Sequence, residues 1–79
     1  MDYGGIRIFL FLQKRLFPDV QPWKMDPEHY KWALETGAGI PLEAGKREKL
    51  EKLDAGMLTP LKEQILEHGQ EIEQELLLL

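Results

Sequence analysis

At 79 residues the chain has room for one domain at most, and a chain of that size buries only about 60 to 65% of its unfolded surface. It has no cysteine, so neither disulfides nor thiolate metal sites can reinforce a small core, and a partner becomes the expected source of further burial. Serine is absent too, which leaves Thr36, Thr59, Tyr3 and Tyr30 as the only hydroxyls and removes the commonest activated nucleophiles.

The net charge of −4 is laid down in blocks of alternating sign. Residues 1–25 and 46–62 are basic on balance, whereas 26–45 and 63–79 are acidic, the last stretch carrying five glutamates and no basic residue. No stretch is basic enough to track a phosphate backbone, which argues against nucleic acid as a partner. The blocks point instead to charges that meet within the chain or across an interface. With no asparagine there is no acceptor for N-glycosylation. No small-residue cleavage site follows the apolar stretch near the start, and that stretch is far short of the ~20 residues a membrane span needs. Together these features favour an intracellular reducing compartment, an organelle or a virus particle over secretion.

Met1 to Gly5 is expected to be a flexible start, broken by Gly4-Gly5. Residues 6–17, IRIFLFLQKRLF, combine strand-like composition with no second strand to pair with, so a strand would need a sheet edge donated by another chain, and a helix is the favoured expectation. Such a helix is apolar nearly all round over its first half and calls for burial in something larger than this chain. Pro18 ends it, and the stretch from Phe17 to Trp23 is expected to be an extended proline and aromatic linker. Residues 1–25 thus form an apolar segment plus linker, and 26–79 a helical region.

Asp26-Pro27 is a helix start, with a capping carboxylate, proline at the first helical position and Glu28 in the first turn. That helix is expected over about 27–36, with Tyr30, Ala33 and Leu34 on one face and Trp32 on the opposite one. The stretch Gly37-Ala38-Gly39-Ile40-Pro41 is expected to be loop, and its glycine spacing is too sparse for a phosphate site. A further helix is expected over about 46–55, and Thr59-Pro60 opens a final one running over about 60–78.

On that final helix Leu58, Leu61, Ile65, His68, Ile72, Leu76 and Leu79 fall within roughly 80° of one another, a narrow apolar seam. Glu63, Glu67, Glu71 and Glu75 form a flanking ridge, and Lys46, Lys49 and Lys52 form a basic ridge on the preceding helix. An antiparallel helical hairpin would set the lysines against Glu63, Glu67 and Glu71. The preceding helix spans only about 15 Å against about 30 Å for the last one, so the part beyond about Gln70 lacks a partner within the chain.

His68, on the apolar seam, has no second metal-type ligand at i,i+4, and the carboxylates beside His29 are explained by capping and the helix dipole, so no metal, cofactor or catalytic residue is expected. The fold class expected is mainly α: a small helical protein with a C-terminal antiparallel hairpin and an extended linker, not an independent compact globule. The expected function is that of a non-catalytic accessory subunit of a larger protein assembly. Partner contacts are expected through Ile8, Phe9, Phe11, Phe17, Trp23, Ile72, Leu76 and Leu79. Two alternatives stay open at this point: a free-standing regulator or inhibitor working as a helical homodimer, and a membrane-surface protein whose residues 6–17 lie in the interface.

Overall fold

The computed structural model describes residues 1–21 and 25–72. Helix α1 covers Tyr3–Arg15, and it starts there because Asp2 is extended and its carboxylate accepts the Gly5 N–H at 2.6 Å. The first residues are therefore not a loose lead-in, as the glycine pair suggests. Met1 is fully buried, and it exchanges two 2.9 Å hydrogen bonds with Ile72, one in each direction. At the other end the N–H groups of Leu16 and Phe17 both donate to the Leu12 carbonyl. Pro18 follows, and Val20 N–H then bonds to Phe17 O at 2.9 Å. The start of the expected extended linker is thus a tight turn, with proline at the position that favours its fixed φ.

Helix α2 covers Pro27–Glu35, close to the expected span, and Asp26 caps it by accepting the His29 N–H at 2.8 Å. It ends in a Schellman arrangement. Gly37 takes a φ of 84°, its N–H bonds to Leu34 O, and Ala38 N–H bonds to Ala33 O. That reversal leads directly into strand β1, Gly39–Pro41, where only loop is expected from the sequence. Helix α3 covers Ala44–Lys52, a 3-10 turn covers Gly56–Leu58, and helix α4 covers Thr59–His68.

The largest departure comes at the end of α4. The expected helix over 60–78 stops at His68, because Gly69 adopts a left-handed conformation, φ 66°, and its N–H closes the last turn on Ile65 O. The chain then reverses into strand β2, Gln70–Ile72, antiparallel to β1 with Gly39 opposite Ile72, Ile40 opposite Glu71 and Pro41 opposite Gln70. Ile72 spends its N–H and C=O on Met1, so β2 lies between β1 and residue 1. Pro41 brings no N–H to its edge strand, a position where sheets tolerate proline.

Ile6 and Phe9 of α1, Tyr30 and Ala33 of α2, Leu50 of α3, and Leu61 and Ile65 of α4 meet in one buried cluster, closed by Met1, Leu58 and Ile72. Fully burying a side chain of the Leu or Ile class contributes about 1.5 to 3 kcal/mol. The radius of gyration, 11.8 Å, matches the ~12 Å of a compact chain of this length. The chain is mainly helical, but it is compact and carries a small sheet, contrary to the open arrangement expected.

The expected charge match between helices is realised in a different form. Lys46 does reach Glu71, at 3.2 Å, but Glu71 sits in β2 rather than on a helix. Lys52 pairs with Glu48 of its own helix at 3.0 Å, as Arg47 does with Glu51 at 3.4 Å. Cross-links from α3 to α4 run to backbone. Lys62 Nζ donates to the carbonyls of Glu51 and Leu53 at the end of α3, and Arg47 Nη2 donates to Leu66 O. Cations there satisfy carbonyls that a helix end leaves open.

Candidate functional site

The outward face of α1 is the surface this fold leaves least explained. The helix turns Gly5, Ile6 and Phe9 to the core. At about 100° per residue, Arg7, Phe11, Gly4, Arg15, Ile8 and Lys14 then fall within roughly 120° on the opposite side. Ile8 is 62% exposed and Phe11 58%, and Leu16 and Phe17 just past the helix are as open. Isolated exposed apolar residues are ordinary, but large ones grouped on one element mark contact surfaces.

Gly4 shapes that face. Without a side chain it leaves a depression of about 400 Å³ lined by Tyr3, Gly4, Arg7, Ile8, Phe11 and Leu12. Only the Asp2 carboxylate, at 3.8 Å, comes near the position a Cβ would take. The Arg7 guanidinium lies over the Tyr3 ring, 5.6 Å from its centre, and is held there by cation–π attraction. The helix itself, Tyr3 to Arg15, contains three cations and no anion.

Two polar arrangements lie elsewhere. Glu71 is buried to 6% exposure; one carboxylate oxygen receives Lys46, and the other, also buried, has no hydrogen-bond partner. The hydrogen bond to Glu71 raises the Lys46 pKa above its ordinary value. The Tyr30 hydroxyl donates to the Gln70 carbonyl, its ring meets His68 edge-on at 5.8 Å, and burial pushes its pKa up to about 12. On the surface, the His29 ring nitrogen lies 2.7 Å from Asp26. Burial acts to raise the Asp26 pKa, but the backbone and ring hydrogen bonds of His29 outweigh it and hold the carboxyl below its ordinary value. Among the described residues no three His, Cys, Asp or Glu side chains gather to hold a metal ion, and no helix is long and apolar enough to cross a membrane.

Of the residues expected on a partner surface, Ile8, Phe11 and Phe17 are exposed on or beside α1. Phe9 and Ile72 are not: both are spent in the chain's own core, because α1 buries its Ile6–Phe9 side and β2 is enclosed between β1 and Met1. Trp23, Leu76 and Leu79 lie outside the described residues. Sequence reasoning missed Gly4 as the floor of the depression and Glu71 as a buried carboxylate. Gly69, one residue past His68, was the available signal that Glu71 leaves the helix.

Comparison with known proteins places the chain. No solved structure matches it. It is 30% identical over 81 aligned residues to Wadjet protein JetD of Bacillus cereus (strain Q1), an alignment that takes in 98% of this chain. The chain spans 19% of the length of that relative. A family model matches it from residue 1 to residue 79, and the chain accordingly belongs to the family described as "Protein of unknown function C-terminus (DUF2399)".

Proposed function

We propose that the chain acts as a non-catalytic part of a subunit in a larger protein assembly, and that it contacts its neighbours through the outward face of α1. The observation that carries this reading is the grouping of exposed Ile8, Phe11, Leu16 and Phe17 on and beside one helix of a small domain. Apolar area of that kind is covered in obligate assemblies. The similarity to Wadjet protein JetD supports membership in a multi-component system. The missing serine and cysteine nucleophiles favour a role in contact rather than in chemistry.

The test is to tag the protein at its natural locus and purify it under gentle conditions. A larger complex of fixed stoichiometry is expected, and Phe11→Glu should strip the chain from that complex while its circular dichroism stays unchanged. Recovery of a lone monomer or homodimer from native cells overturns the reading.

A further inference from the structure

Resting on that reading of α1 as a contact surface, we infer that its occupant is an acidic amphipathic helix of a protein partner. Its apolar side chain would enter the depression above Gly4, and its carboxylates would pair with Arg7, Lys14 and Arg15. The charge pattern carries the argument. The exposed face of α1 offers three cations and no anion, in a chain whose net charge is −4, so the cations are concentrated against the overall balance. A partner with carboxylates at this face gains from complementarity at every cation, and a basic partner is repelled.

Order around the helix separates a protein from a lipid surface. Arg7, Phe11, Arg15 and Ile8 follow one another at steps of about 20 to 40° around the axis, so the Arg15 guanidinium stands between Phe11 and Ile8, with Arg7 on the far side of Phe11. A helix lying in a membrane keeps its apolar stripe together, with cations at the margins. Sinking Phe11 and Ile8 together into hydrocarbon would drag Arg15 after them and leave its charge unpaired. A protein partner supplies a carboxylate to each cation instead, and arginine suits such bidentate pairing.

Shape agrees with charge. The depression of about 400 Å³ has Gly4 in its lining, and it leaves room for apolar side chains of a facing helix. Arg7 is already oriented by the Tyr3 ring, so less of its side-chain freedom is lost on pairing. The Asp2 carboxylate, beside the depression, is engaged in capping the helix through the Gly5 N–H.

The experiment uses the full chain and two labelled synthetic amphipathic helices, one of Leu and Glu and one of Leu and Lys. Binding is followed by fluorescence anisotropy, with amide chemical shifts reporting the contact face. The Leu–Glu helix is expected to bind at least about tenfold more tightly, a difference of about 1.4 kcal/mol, with shifts confined to α1. Arg7→Glu, Lys14→Glu and Arg15→Glu combined should reverse the preference. Amide chemical shifts dispersed as in the parent chain show that the variant is folded. Gly4→Leu, which fills the depression, should weaken binding of the Leu–Glu helix without reversing the preference.

Equal affinity for both helices, or a preference that survives charge reversal, overturns the inference. So does flotation with phosphatidylcholine–phosphatidylserine vesicles in the absence of helix binding, or light scattering that shows a dimer whose contact occupies α1. Should charge reversal fail while the tagged protein still purifies in a stoichiometric complex dependent on Phe11, the partner chemistry is wrong and the proposed function stands. Should charge reversal succeed for a chain that has no native complex, the proposed function falls alone.

Discussion

Tyr30 is the residue on which the two halves of the fold meet. Its ring lies in the core on α2, and its hydroxyl donates to Gln70 O at the start of β2, forty positions away in sequence. Tyr30→Phe keeps the ring and leaves that carbonyl without its donor. The expected loss is about 1 to 3 kcal/mol, read as a lower midpoint in urea denaturation with an unchanged slope; no shift would show that water replaces the hydroxyl. Glu71 and Lys46 make a second long-range tie, between β2 and α3. Breaking such a pair from one side leaves the other charge uncompensated, so Lys46→Met should destabilise more than Lys46→Met combined with Glu71→Gln. A double-mutant cycle measures this coupling, and strict additivity would exclude it.

At the scale of elements, the decisive position is Gly69. A glycine well inside a helical pattern costs only about 1 kcal/mol relative to alanine, so the apolar periodicity running on to Ile72 reads as one continuous helix. The structure spends Gly69 on a left-handed cap, so Glu63 and Glu67 of the expected ridge stay on the helix while Glu71 lies in a strand. Gly69→Ala should therefore cost about 1 to 2 kcal/mol from the positive φ alone, and Gly69→Asn less, since asparagine tolerates that conformation. Thermal melts of both variants check the order; equal stability of the alanine variant and the parent chain would mean that the cap is dispensable. The starts of α1 and α2 were unequally legible. Asp26-Pro27 announces its helix, whereas Asp2 is followed by two glycines that resemble a break and are instead absorbed in the first turn.

For the whole molecule, the alkaline limb of stability should be steep. Tyr30 has a folded pKa near 12 against about 10 unfolded, so the folded chain keeps a proton that the unfolded chain releases. Its contribution is complete below pH 10 and lost as pH rises toward 12. Lys46, also raised, acts in the same direction: its contribution is present below its ordinary pKa of 10.5 and lost above its folded value. Chemical denaturation across this window should show stability falling with pH, and Tyr30→Phe should flatten the fall. A flat profile in the parent chain would contradict the burial of the hydroxyl. Asp26 gives the opposite limb, smaller because the group is half-exposed: its carboxyl is held low, so its contribution is present above pH 3.8 and lost as pH falls through the folded pKa.

Local chemistry determined the mainly helical class, the start of α2 at Asp26-Pro27, its end at Gly37, the end of α1 before Pro18 and the inward Tyr30–Ala33 face, because caps, prolines and helical periodicity act within a few residues. The apolar composition of residues 6–17 likewise raised the expectation of a contact element. Only tertiary structure decided that α4 stops at His68, that β1 and β2 pair, and that Met1 closes against Ile72. A three-residue strand has almost no pattern of its own, and its stability comes from a partner thirty residues away. Tertiary structure also decided which half of α1 stays exposed, since a helix apolar on both sides is oriented by the core it meets.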